Sequence, residues 1–142
     1  MILTGQFRHN LDSKNRLIIP VKFREPLGEV FMITQGLDGC LAAYTMEKYE
    51  AMIAKLTTIP STKKEARMYL RALTANANEC TLDSQGRVQL PQFLMTHFKK
   101  SCVIVGVADH IEIWPEEQWN SYSDLASESL ETVAETLTEF IA

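Results

Sequence analysis

The chain has 142 residues, 46% of them hydrophobic, and a formal net charge of −4; this is enough apolar material for one domain or for two half-size units sharing a core, and it excludes a disordered chain. No run of about 18 apolar residues occurs and no basic-then-apolar leader opens the chain, so neither a membrane span nor a signal peptide is expected and the chain is placed in the cytoplasm. The net charge conceals an asymmetry, because residues 1–106 carry all 14 Lys and Arg while residues 107–142 carry acids alone, so overall acidity does not exclude a nucleic-acid partner.

Gln6 to Leu11 alternates, with Phe7, His9 and Leu11 on one side, which is the period of a half-buried strand. Asp12-Ser13-Lys14-Asn15 then fits a type I turn with a left-handed fourth residue, the build of a three-residue hairpin loop, and the β-branched and apolar stretch Arg16 to Ile19 supplies the returning strand. Pro20 suits the first position of a short helix over Val21 to Leu27. Val30 to Thr34 and Cys40 to Tyr44 flank a second hairpin at Gln35 to Gly39, and Thr45 is the expected N-cap of the next helix. After Pro60, Thr62-Lys63-Lys64-Glu65 reads as a capping box opening a helix to about Ala75, made basic by Lys63, Lys64, Arg67 and Arg71; that face is either solvated or turned to phosphate.

The chain then repeats itself. Leu82-Asp83-Ser84-Gln85-Gly86-Arg87-Val88-Gln89-Leu90-Pro91 matches Leu11 to Pro20 at an offset of 71, with Leu, Asp, Ser, Arg and Pro identical and the fourth turn residue Gly86 in place of Asn15. Both Asn and Gly tolerate positive φ. A second short helix is expected over Gln92 to Lys99 and a second hairpin from Cys102 to Trp114, with Pro115 opening a helix. Gly36/Gly106, Leu41/Ile111, Tyr44/Trp114 and Tyr49/Trp119 match at an offset of 70, which locates a one-residue loss between Pro91 and Gly106. Two copies are too few for a solenoid and imply halves related by an approximate two-fold axis. Ser123 to Ala142 places Leu130, Val133, Leu137 and Ile141 at helical spacing among acids; that stripe packs either on the chain's own core or on a neighbouring subunit.

Two tight turns, each followed by an arginine, make a poor active site and a reasonable reading head. Arginine donates two parallel bonds to guanine or clamps a phosphate, and a β-hairpin enters the major groove. Lys14, Arg8, Lys22 and Arg24 lie close in sequence and are candidate phosphate contacts; Asp12, Asp83 and Gly86 are read as structural parts of the turns. The alternative is that Arg16 and Arg87 serve only as ion-pair partners of Asp12 and Asp83. An aspartic dyad is a weaker reading, since each Asp is followed by Ser without the Thr-Gly or Ser-Gly of such dyads, and no phosphate loop, dinucleotide fingerprint or zinc-hydrolase motif occurs. Cys40, Cys80 and Cys102 are odd in number and widely spaced, so free, mostly buried thiols are expected, with neither a disulfide framework nor a metal site. No cofactor is called for.

The doubled Leu-Asp-Ser-Lys-Asn-Arg-Leu and Leu-Asp-Ser-Gln-Gly-Arg-Val turns, both followed by proline, together with Gly5 and Phe7 near the start and Val105-Gly106 ahead of Ile111-Glu112-Ile113-Trp114, resemble the MraZ family over essentially the whole chain. The resemblance implies an α+β fold of two pseudo-symmetric AbrB-like swapped-hairpin modules, each β-β-α-β-β-α, sharing one core, with the C-terminal helix added. Laid on this chain it suggests a first module at 1–60, a basic linking helix at 61–76, a second module at 77–122 and an amphipathic helix at 123–142. It further implies a transcriptional regulator, usually a repressor, that is nucleoid-associated, assembles as a ring often of eight subunits, and binds double-stranded DNA at direct repeats in the promoter of its own division-gene operon. The DNA contacts would fall on Arg16 and Arg87, supported by Lys14, Asn15, Gln85 and Arg8. AbrB-like folds also occur in antitoxins, so a protein-binding module without specific DNA readout is the competing reading.

Overall fold

The computed structural model describes residues 2–141. Among these described residues eight strands and six α-helices follow one another as β1 (Gln6–Asn10), β2 (Arg16–Ile18), α1 (Val21–Leu27), β3 (Phe31–Gln35), β4 (Leu41–Thr45), α2 (Met46–Thr57), α3 (Lys64–Ala75), β5 (Asn78–Cys80), β6 (Arg87–Gln89), β7 (Ser101–Val107), β8 (His110–Pro115), α4 (Glu116–Glu128), α5 (Leu130–Thr136) and α6 (Thr138–Ile141). A six-stranded antiparallel sheet runs β1-β7-β8-β4-β3-β5, and β2 pairs with β6 in a separate two-stranded ribbon.

The fold is α+β and built of two repeated modules. Its strand pairing corrects the simple hairpin expected for Gln6 to Ile19. Instead of returning onto β1, β2 crosses to β6, while β1 adds to the edge of β7 with Phe7 opposite Ile104. The second copy does the same in reverse, since β5 adds to β3 with Cys80 opposite Phe31. Each module thus lends its first strand to the sheet of the other. The approximate two-fold axis passes through two residue pairs, Leu17–Val88 in the ribbon and Ala42–Glu112 where β4 meets β8.

Alternation along the strands sorts the apolar side chains onto two faces, as period-2 geometry requires. Phe31, Ile33, Leu41, Ala43, Cys102, Ile104, Ile111 and Ile113 face the main core, which the ribbon closes with Leu17, Ile19, Val88 and Leu90 and α1 closes with Phe23 and Leu27. Phe7 meets Phe23 edge-on at 5.5 Å between ring centroids. On the opposite face, Cys40, Val103, Val105 and Trp114 are covered by Trp119 of α4, and α3 is anchored by Thr34 Oγ1 and Tyr49 OH, which both donate to the Leu73 carbonyl at 3.0 and 3.2 Å. All three cysteines are buried and free. Burial pushes their thiols up, to about 12 for Cys40 and about 11 for Cys80 and Cys102.

Several local expectations need correction. Strand register places the one-residue loss at the β7–β8 turn: Gln35 opposite Leu41 corresponds to Gly106 opposite Ile111, so the offset of 71 persists through Gly106. Gly106 is glycine for its own reason, because a Cβ there would lie 2.5 Å from the Thr4 nitrogen. The second short helix shrinks to one 3-10 turn, Gln92–Leu94. The first copy ends α1 at Gly28, whose φ of 84° lets its N–H reach the Arg24 and Glu25 carbonyls; the second copy has Lys99 at that place. Thr62 and Glu65 form no capping box: Lys63 is the N-cap of α3 and makes no side-chain cap. Pro20, Pro91 and Pro115 precede the first helical residue instead of occupying it. Thr45 does cap α2, its hydroxyl accepting from the Lys48 N–H at 3.0 Å. Beyond residue 122 one helix, α4, continues unbroken to Glu128, and the arm of α5 and α6 leaves Leu130, Val133, Leu137, Phe140 and Ile141 exposed, so the tail's apolar stripe is not covered by the chain's own core.

Candidate nucleic-acid interface

The two turns have the same construction atom for atom. In the first, the Asp12 carbonyl accepts from the Asn15 N–H at 3.0 Å, Oδ1 accepts from the Lys14 and Arg16 N–H groups at 2.9 Å each, and Oδ2 accepts from Arg16 Nε at 2.7 Å. In the second, the Asp83 carbonyl accepts from Gly86 at 3.0 Å, Oδ1 from Gln85 and Arg87 at 2.9 Å each, and Oδ2 from Arg87 Nε at 2.8 Å. The fourth residues are left-handed, with φ of 58° at Asn15 and 76° at Gly86. The Arg16 backbone N–H, with its guanidinium and the Lys14 N–H beside it, holds the Asp12 carboxyl down to about 2; the Arg87 backbone N–H does most to lower Asp83.

The exchanged strands merge the turns into one site. Ile19 donates its N–H to the Gly86 carbonyl at 2.9 Å, Leu90 donates to the Asn15 carbonyl at 3.0 Å, and the Gln89 side chain donates to the Lys14 carbonyl. Arg87 Nη1 stands 3.9 Å from Asp12 Oδ2, the oxygen that holds Arg16. Two motifs 71 residues apart therefore place both arginines around one carboxylate. Each aspartate engages its arginine through Nε, and among the described residues neither arginine makes a hydrogen bond through its terminal nitrogens. A guanidinium held by Nε has its rotation fixed and its outer edge available, the edge with which arginine grips a phosphate or a guanine. The ion pair and the reading edge are thus compatible in one side chain.

The remaining candidates separate. Lys14 is exposed at the tip of the first turn, and Gln85 is its counterpart in the second. Arg8 is not brought to the turns. It lies on β1 against α4, donating from Nη2 to Asn120 Oδ1 at 3.0 Å and standing 3.6 Å from Glu116. Lys22 rests over the rings of Phe7 and Phe23, 5.7 and 5.6 Å from their centroids. Arg24 lies against the second turn, where its guanidinium covers Gly86; sequence proximity had grouped it with the first.

A swapped-strand α+β fold with paired Asp-Arg turns defines the class, and comparison with known proteins agrees. The family model whose description reads "MraZ protein, putative antitoxin-like" matches residues 2–72 and again 73–141. Among curated proteins the chain is 45% identical over 138 residues to the transcriptional regulator MraZ of Ligilactobacillus salivarius, covering 96% of both chains. It is 46% identical over 140 residues to the protein of the same name from Thermoanaerobacter sp., covering 97% of this chain and 98% of the relative. The chain belongs to the MraZ family. No helix among the described residues is long and apolar enough to cross a membrane.

Proposed function

We propose that this protein is a sequence-specific DNA-binding transcriptional regulator, acting as a repressor, that binds direct repeats in the promoter of its own division-gene operon through Arg16 and Arg87. The observation that carries the reading is the pair of guanidinium groups, each fixed through Nε by its own aspartate and brought together at the Asp12 carboxylate, with no hydrogen bond spent on their terminal nitrogens among the described residues. Lys14, Asn15 and Gln85 line the same turns and contact the sugar-phosphate backbone; Arg8, tied to α4, is left out. The regulator works in the cytoplasm at the nucleoid, without a cofactor and without chemistry of its own.

One subunit offers few contacts, and self-assembly supplies the rest. The exposed apolar stripe of α5 and α6 is flanked by Glu128, Glu131, Glu135 and Glu139, and α3 exposes Met68 and Tyr69 among Lys64 and Arg71. These surfaces complement one another in charge and apolar character, which supports a head-to-tail ring of copies, eight by the family's habit, engaging several repeats by effective concentration.

The test is a titration against the chain's own upstream promoter and a shuffled duplex at two salt concentrations, with wild type, Arg16→Ala and Arg87→Ala. Promoter preference that falls steeply with salt and is lost in folded variants supports the reading. Equal binding to the shuffled duplex overturns it and favours an antitoxin-like protein-binding module.

A further inference from the structure

Arg24 reaches across the molecule. It belongs to α1 of the first module, yet its Nε donates to the Ile19 carbonyl at 2.8 Å, and Ile19 in turn donates to the Gly86 carbonyl at the second turn. A Cβ on Gly86 would lie 2.2 Å from the guanidinium carbon and 2.4 Å from Nη2. The absence of a side chain at Gly86 is therefore what seats this cation. Nothing neutralises it: among the described residues Arg24 forms no ion pair, although Arg16 and Arg87 both do.

The repeat shows why the seat exists on one side only. Arg24 corresponds to Met95 in the second copy, so its counterpart at the first turn is uncharged, and the first turn carries Asn15 where the second carries Gly86. The first turn bears its extra cation at its tip, as Lys14, and the second has uncharged Gln85 there. We infer that Arg24 is the phosphate-binding cation of the second turn, lent by the first module to stand beside Arg87 in the place that Lys14 fills in the first turn. The inference rests on the DNA-binding reading and adds a residue to it. An uncompensated guanidinium held through Nε, with no hydrogen bond on its terminal nitrogens among the described residues, keeps those donors for a phosphate and carries no base preference of its own.

The experiment measures DNA affinity against salt concentration for wild type, Arg24→Gln, Gly86→Asn, the double variant and Arg87→Ala, on promoter and shuffled duplexes. Gln places its Nε2 where Arg has Nε, so Arg24→Gln keeps the bond to Ile19 and removes the charge. Its expected effect is a salt slope lower by about 0.9 for each engaged subunit, of equal size on both duplexes, with an unchanged thermal midpoint. Gly86→Asn installs the first turn's residue in the left-handed region that Asn15 also occupies, at φ 76° against 58°, and displaces the guanidinium; it should lower the slope alike and add nothing in the double variant. An unchanged slope in Arg24→Gln while Arg87→Ala destroys binding overturns this inference alone. Unchanged binding in Arg87→Ala as well overturns the DNA-binding reading beneath it.

Discussion

Leu17→Ala tests whether the two halves stand or fall together. Leu17 is fully buried, lies on the approximate two-fold axis opposite Val88, and belongs to the first module, whereas both tryptophans, Trp114 and Trp119, belong to the second. Truncating a fully buried leucine costs about 2–5 kcal/mol, the transfer term plus the cavity left behind. Ribbon and sheet meet at this point with little freedom to collapse, so about 3 kcal/mol is the expected loss. For a chain near this length each kcal/mol lowers the midpoint by about 2–4 °C, which predicts a fall of roughly 6–12 °C. The assay is thermal unfolding at one fixed protein concentration, followed by tryptophan fluorescence for the second module and by far-UV circular dichroism for the whole. With β1 paired to β7 and β5 to β3, both signals should fall together and by the same amount. A fluorescence transition that stays in place while part of the dichroism is lost early would show that the modules melt separately and that the exchanged-strand core is misread.

Two further outcomes follow from the turns and from β8. Asn15→Gly should leave the midpoint unchanged or slightly raised, because relief of the left-handed side chain offsets glycine's greater freedom in the unfolded chain; a marked fall in a thermal melt would refute the turn assignment. His110 donates or accepts between Glu112 Oε2 at 3.1 Å and Asp109 Oδ1 at 2.8 Å, with Tyr44 packed on its ring at 5.0 Å and Lys48 2.8 Å from the same Asp109. The Glu112 bond above all, then the Asp109 bond, raises the imidazole pKa against the effect of burial. Burial pushes Glu112 up, yet its bonds to His110 and Trp114 bring it lower overall, and the His110 and Lys48 bonds hold Asp109 at about 2. A raised pKa in the folded state means that protonated His110 stabilises fully below the ordinary imidazole value of about 6.5 and loses this as pH rises through the folded value. Midpoints measured from pH 6 to 9 should therefore decline in wild type more than in His110→Gln, and parallel curves would contradict this.

Local chemistry is what the sequence makes legible. An Asp opening a turn whose fourth residue is Asn or Gly, repeated with the same arginine and proline, specifies both turns without reference to anything distant, and Thr45 before α2 is read the same way. Pairing is different. Alternation in Gln6 to Leu11 tells which side chains face the core but not which strand lies alongside, so two neighbouring strands read as a hairpin where the chain exchanges them. The glycines misled for a related reason: Gly36 and Gly106 look equivalent, yet Gly106 is shaped by the approach of Leu3 and Thr4 from the other end of the chain. Likewise Arg24 sits nearest the first turn in sequence and on the second in space. Thr62 and Glu65 meet the spacing rule for a cap, but the Lys63 N–H already bonds the Pro60 carbonyl and Arg67 Nη1 takes the Ser61 carbonyl, so the chain enters α3 by another route.

Exchange of the first strands also orders events during synthesis. β1 leaves the ribosome early, and its partner β7 follows only after roughly a hundred further residues, a wait of about 5–20 s at ordinary translation rates. Through that interval Phe7 and Leu11 lack their core and the strand has an unpaired edge. Where many ribosomes read one message, the β7 of a neighbouring nascent chain offers the same edge, sequence for sequence. Slow translation or high local concentration will therefore trap two chains threaded through one another, each complete in every contact and joined for as long as both stay folded.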